Sequence, residues 1–204
     1  MYNVQVLFYI AIFAYLCGSF PSAFLVGKAM AQIDIRQHGS GNVGSTNALR
    51  TLGVKGGLLS LLGDIAKTIA ALTLPYYLQA PQLAFYIAGL AVVCGHNWSI
   101  FLRFKGGKGV AVSASVITLL YPLVGITSLV LLVLAVWRSK FVSLGSILMA
   151  LFWPFTLWMS REPLSDVLFA LVLATAIVLQ HRGNIQRLMN GTERKLSFSK
   201  KEQV

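Results

Sequence analysis

Acidic residues are scarce in this chain: six Asp and Glu stand against seventeen Lys and Arg, a formal net charge of +11. There are only two cysteines, Cys17 and Cys94, and both lie inside apolar segments. That is too few for a disulfide framework. No Cys/His cluster has metal-ligand spacing, and no G-x-S-x-G elbow marks a Ser/His/Asp triad. Neither a metal nor an organic cofactor is called for. Internal repeats and low-complexity tracts are missing too. The first apolar run is preceded by no basic residue, so it reads as a membrane span with the N-terminus outside, not as a cleavable signal peptide.

Apolar sequence is abundant. The 204 residues are 56% hydrophobic and 11% charged, with mean hydropathy +0.73, which excludes an ordinary soluble domain. The cations cluster between the apolar runs, as the positive-inside rule requires. The charge is therefore assigned to anionic lipid and an anionic substrate, and not to nucleic acid.

The chain reads as a single domain, 1–204, of all-α polytopic membrane architecture. Spans are expected near Val4–Val26 (broken at Gly18-Ser-Phe-Pro21-Ser22), Gly57–Tyr77 and Leu83–Leu102. The run Val110–Val136 is divided at Tyr121-Pro122 into two short helices, which returns Arg138 and Lys140 to the inside. Spans near Phe141–Met159 and Leu164–Leu179 follow, making about seven, with the N-terminus periplasmic and residues 181–204 a cytoplasmic tail. Five spans is the alternative count. Asp64 and Lys67, three residues apart in the second span, share a helix face and are expected to neutralise each other.

That topology sends four polar stretches to the cytoplasmic side: Gly39–Arg50, His96–Gly109, Ser139–Ser146 and His181–Lys195. The first packs three glycines, two serines, a threonine, two asparagines and an arginine into twelve residues. Amide donors, a helix start and a guanidinium are the parts of a phosphate site, although such a stretch can also serve only to turn the chain. Lys105-Gly-Gly-Lys108-Gly109 adds cations around glycines that let backbone approach an anion. It lacks the Ser/Thr of a Walker motif. His96, His181, Ser143 and Arg187 each have a structural alternative as interfacial histidine, helix cap or lipid contact.

The combination of Gly18–Ser22, Gly39–Asn47 with Arg50, Gly95-His-Asn97, Lys105–Gly109, Ser143-Leu-Gly-Ser146 and His181-Arg-Gly-Asn184 resembles the bacterial acyl-phosphate-dependent glycerol-3-phosphate acyltransferases (the PlsY family). The resemblance implies an inner-membrane enzyme with a cytoplasmic site. It would move a fatty acyl group from an acyl phosphate, or from an acyl carrier protein or CoA thioester, to the 1-hydroxyl of glycerol 3-phosphate, giving lysophosphatidic acid. It implies a donor-phosphate site at Ser40, Gly41, Asn42, Thr46, Asn47, Gly106, Gly107, Lys108 and Gly109. Glycerol 3-phosphate would meet Arg50, Lys105, His181 and Asn184, with Lys105, Ser143 and His181 as the catalytic set and His96 and Arg187 as further candidates. In this scheme the loop amides hold the donor phosphate and Ser143 or a backbone amide polarises the acyl carbonyl. The His-x4-Asp of other acyltransferases is excluded, because none of His38, His96 and His181 has an aspartate five residues on. The competing class is a transporter of a small phosphorylated anion, which the confinement of polar groups to one interface opposes.

Overall fold

The computed structural model describes residues 3–196, all of whose long elements are helices. Among the tail cations, Lys200 and Lys201 lie outside the described residues. The described residues form two compact units, one running to Ser113 and a second beginning at Ala114.

In the first unit, α1 (Val4–Ser19) opens at Asn3, whose side chain accepts from the Gln5 amide. It stops at Phe20-Pro21 because proline offers no N–H and cannot continue the ladder. The chain restarts as α2 (Ser22–Ala31) and leaves it through Gln32 in the left-handed region. The break falls where the Gly-Ser-Phe-Pro-Ser pattern puts it. α3 (Ser45–Tyr77) begins twelve residues before the expected span, and Gly53, at φ 74°, bends its polar first segment away from the apolar remainder. A methyl on Gly57 would lie 2.8 Å from Leu49 Cβ, so this first segment folds back onto the span. α4 (Gln82–Asn97) follows Pro81, and after a 3-10 turn at Ile100–Leu102 and the second glycine loop comes α5 (Val110–Leu120), which belongs to the second unit from Ala114 on.

α1 and α4 pack with their backbones nearly touching. Methyl groups on Gly18 and Gly95 would collide with the carbonyl oxygens of Val92 and Tyr15 respectively. Small residues allow this approach in lipid, where dispersion replaces the hydrophobic effect as the source of helix attraction. Gly95→Ala should therefore cost about 1–3 kcal/mol through overpacking. The check is the thermal unfolding midpoint in detergent, which should fall.

In the second unit, α6 (Pro122–Ser139) carries proline in its first turn, and the preceding Tyr121 breaks the long apolar run at the expected position. α7 (Val142–Met159) packs closely on α6, since a methyl on Gly145 would stand 3.0 Å from the Leu132 carbonyl oxygen. The fully buried Trp153 donates from Nε1 to Ser128 Oγ at 2.9 Å, so its one polar atom is satisfied. α8 (Leu164–Gln180) turns through 59° at His181 into α9 (Arg182–Met189), the short helix expected at the start of the tail.

Five segments are long and apolar enough to cross a membrane: Val4–Ala31, Ser45–Tyr77, Gln82–Leu102, Pro122–Ser139 and Val142–Met159. The bent α8–α9 pair makes a sixth, and α5 is a shorter apolar helix of 11 residues.

Candidate functional site

The polar stretch after α2 is a closed loop with its own internal clamp. Asp34 caps the 3-10 turn Ile35–Gln37 and grips Arg36 at 2.6 Å. The hydrogen bond from Arg36 holds the Asp34 carboxyl down to about 2. Ile35 is fully buried against Ala23, Val43, Ala48 and Leu102, which pins the loop to the helices. Gly39 and Gly41 both take positive φ, 58° and 72°, where other residues would be strained. Asn47 then staples the loop from inside: its Oδ1 accepts from the Ser40 amide at 2.8 Å, while Nδ2 donates to the carbonyls of Ile35 and His38 at 3.1 Å.

Asn47 was expected to touch donor phosphate. It is 1% exposed and its amide is committed to the loop, so its place in that set is corrected to a loop clamp. What the clamp presents is the start of α3. Gly44 brings no side-chain cap, and among the described residues the first-turn amides of Ser45 and Thr46 have no hydrogen-bond partner. An uncapped helix start with a hydroxyl on each of its first two residues suits an anion. Arg50 lies one turn further along the same segment.

The second glycine loop is anchored to the end of α4. The Gly106 amide donates to the Asn97 carbonyl at 3.1 Å and the Gly107 amide to the His96 carbonyl at 3.0 Å. Side chains are sterically refused, since a methyl on Gly106 would collide with the His96 carbonyl oxygen and one on Gly107 with His96 Nε2. The two amides expected to cradle phosphate are thus both engaged within the fold. The glycines are there because the loop lies directly on the α4 backbone. Lys105 is exposed at the rim of the loop, and Gly109, at φ 77°, turns the chain into α5.

Beneath this loop lies the Asp64–Lys67 pair at 2.8 Å, self-neutralising as its spacing predicts. Lys67 also donates to the Phe20 carbonyl at 3.0 Å, which accepts from the Ser22 amide as well, and meets His96 Nδ1 at 2.8 Å. Sequence reasoning paired Asp64 with Lys67 but had no signal for the contact with His96. It also passed over the side chain of Asn97, 3% exposed with neither end of its amide hydrogen bonded and Oδ1 2.7 Å from where a methyl on Gly109 would stand.

In the second unit the polar residues gather on one carboxylate. Glu193 Oε1 accepts from Ser143 Oγ at 2.9 Å and from Asn184 Nδ2 at 2.6 Å, and Oε2 accepts from Arg187 Nε at 2.8 Å. The segment carrying it is tied down by Thr192 N to Arg187 O and Leu196 N to Lys140 O. Burial opposes ionisation of Glu193, but the bonds from Asn184, Ser143 and Arg187 together hold its carboxyl below the usual range. Ser143 has one hydroxyl proton, and it goes to Glu193. That proton is the one the expected polarisation of an acyl carbonyl by Ser143 would use, so in this arrangement it is committed to Glu193. His181 is 4% exposed, with Nδ1 2.8 Å from the Ile177 carbonyl. A carbonyl only accepts, so Nδ1 carries the proton and a neutral ring keeps its lone pair on Nε2.

The depressed carboxyl of Glu193 fixes the sign of a pH effect. Its stabilising contribution is complete above the unfolded glutamate pKa and is lost as pH falls through the lower folded value. Tryptic cleavage at Arg194 and Lys195 should accelerate on acid exposure below about pH 4 followed by return to assay pH, if refastening is slow. Glu193→Gln should be cleaved faster at every pH.

A family model described as glycerol-3-phosphate acyltransferase matches residues 8–191. A protein of that name from Alkaliphilus metalliredigens (strain QYMF) is 46% identical over 187 residues, covering 92% of this chain and 94% of the relative. One from Clostridioides difficile (strain 630) is 40% identical over 196 residues, covering 94% and 96%. Two crystal structures of PlsY (YgiH), an integral membrane glycerol 3-phosphate acyltransferase, are similar in fold, one in a glycerol 3-phosphate form and one in a lysophosphatidic acid form. Their TM-scores are 0.87 and 0.86, with 34% identity over 94% of this chain and 96% of theirs.

Proposed function

The chain belongs to the glycerol-3-phosphate acyltransferase family, and from that premise we propose that it makes lysophosphatidic acid by transferring a fatty acyl group to the 1-hydroxyl of glycerol 3-phosphate. The observation that carries the reading to this molecule is the uncapped start of α3, held open by the Asn47 clamp. It is a ready anion site at the end of a membrane helix.

The donor is an acyl phosphate. Its phosphate is assigned to Ser40, Gly41, Asn42 and Thr46 of the first loop and to Lys108 and Gly109 before α5, with Gly106 and Gly107 shaping the second loop. Arg50 and Lys105 supply positive charge for glycerol 3-phosphate. In the second unit His181 and Asn184 are the candidates for contact with glycerol 3-phosphate, so substituting either should lower kcat/KM for it. In the reaction the hydroxyl oxygen bonds to the acyl carbonyl carbon, the carbon–oxygen bond to the donor phosphate breaks, and inorganic phosphate departs. The hydroxyl proton passes to His181 Nε2 or to a phosphate oxygen. With so good a leaving group, placement and electrostatics carry most of the barrier.

The enzyme is placed in a bacterial cytoplasmic membrane with its polar loops inside. Seven crossings, counting α5 and α8, leave Arg138 and Lys140 on that side. The test is acyl transfer by protein purified in detergent, given labelled glycerol 3-phosphate with acyl phosphate, acyl carrier protein thioester or acyl-CoA. Product from acyl phosphate alone, lost in Lys108→Ala, is the expected result. Product from the thioesters alone would remove the donor-phosphate assignment. No product from any donor would revive the anion-transporter reading.

A further inference from the structure

Among the polar groups of the first unit that the acyl-transfer scheme gives no task is the outer nitrogen of His96. Lys67 Nζ stands 2.8 Å from Asp64 Oδ1, 3.0 Å from the Phe20 carbonyl and 2.8 Å from His96 Nδ1. An ammonium donates and never accepts, and it has three protons for these three neighbours. His96 Nδ1 is thus an acceptor and the proton of the neutral ring sits on Nε2. Asp64 Oδ1 also faces Nδ1, but at 3.6 Å it is farther than the Lys67 ammonium at 2.8 Å, and a doubly protonated ring would set a second cation directly against Lys67.

A methyl on Gly107 would collide with His96 Nε2 and stand 2.7 Å from the Val43 carbonyl oxygen, so the two glycine-rich loops meet at this edge of the ring. No hydrogen bond to Nε2 exists among the described residues. The ring edge borders a small cavity with room for roughly one water-sized group, also lined by Val43, Gly107, Ser19 and Ser22. The hydroxyls of Ser19 and Ser22 are buried there without partners. An imidazole N–H beside two unsatisfied hydroxyls forms an incomplete polar site under the loops to which the donor phosphate is assigned.

We propose that His96 is a ligand of the acyl donor: its Nε2–H donates to one oxygen of the phosphate held at the two glycine loops, and Lys67 is the positioning residue that fixes the tautomer. The inference rests on the acyl-phosphate reading. Cavity size limits the occupant to a single oxygen-sized group, so the rest of the phosphate stays at the loops. Because the Asp64–Lys67 pair is self-neutral, His96 provides direction and a donor without further charge. No proton leaves the ring and no bond to it forms.

Two readouts test this. The first is the nitrogen spectrum of the whole chain in detergent with 15N-labelled histidine, titrated with inorganic phosphate; the three rings are assigned by single substitution. The expected result is an Nε2–H tautomer for His96 whose protonated nitrogen shifts as phosphate saturates. An Nδ1–H tautomer, or no shift at phosphate concentrations that inhibit the enzyme, overturns the proposal. The second is inhibition of acyl transfer by inorganic phosphate. In His96→Phe the inhibition constant should rise about tenfold or more, the loss of one hydrogen bond to a charged group, while KM for glycerol 3-phosphate stays within about twofold. His96→Gln, which keeps an N–H near the same place, should rise less. A lower unfolding temperature with an unchanged inhibition constant would make His96 purely structural and overturn the proposal. If His96→Phe does not fold, the wild-type spectrum decides. Failure of the wild-type enzyme to use acyl phosphate is a separate result: it removes the reading beneath the inference, and the spectrum then has no donor to report on.

Discussion

Lys67→Met alone is expected to destabilise the protein by about 3–5 kcal/mol, the usual penalty for leaving one partner of a buried ion pair behind. Asp64 would remain at 2% exposure as an uncompensated carboxylate inside a membrane helix. In the same step His96 Nδ1 would lose its donor and the Phe20 carbonyl would keep only the Ser22 amide. Asp64→Leu should be similarly costly, because it strands the ammonium. The double variant Asp64→Leu/Lys67→Met removes both charges and should recover most of the loss, since a well-packed apolar pair often matches a buried ion pair. Thermal unfolding in detergent and the monodisperse fraction on gel filtration give the four corners of the cycle. Recovery short of half would mean that the contacts to Phe20 and His96 outweigh the charge pair.

Gly106→Ala is the second large effect, and it should appear in activity before stability. The new methyl would collide with the His96 carbonyl oxygen and lie 2.8 Å from that of Asn97, both rigid backbone atoms at the end of α4. The loop must therefore lift, giving up its bond from Gly106 N to Asn97 O and carrying Lys105 and Lys108 out of place. A displacement of about 1 Å at a positioning element can cost on the order of 10²-fold in rate. Acyl transfer from acyl phosphate should fall by that order while the unfolding midpoint moves little. Activity near the wild-type value would show that the second loop's place does not matter to turnover.

Much of the architecture could be read from local pattern. Apolar runs, Pro21 and Pro122 marked helices and breaks because hydrogen bonding in lipid is strict and proline withholds a donor. The i,i+3 spacing of Asp64 and Lys67 was enough to pair them, since a helix converts that spacing into contact. The start of α3 was less legible. Ser45–Leu52 is polar enough to read as loop, and only the turn at Gly53 and the packing of Gly57 against Leu49 make it helical.

By itself, the sequence determined the class of the molecule, an all-helical membrane protein with glycine-rich, cationic loops, because hydropathy and glycine content are properties of short stretches. Tertiary structure decided which polar atoms remain available. Asn47, Gly106 and Gly107 carry good donors, yet those donors are spent on carbonyls of neighbouring segments. Ser143 spends its one hydroxyl proton on Glu193, fifty residues away. The direction of a hydrogen bond depends on what lies across the gap, and the pairing of distant segments sets that neighbour.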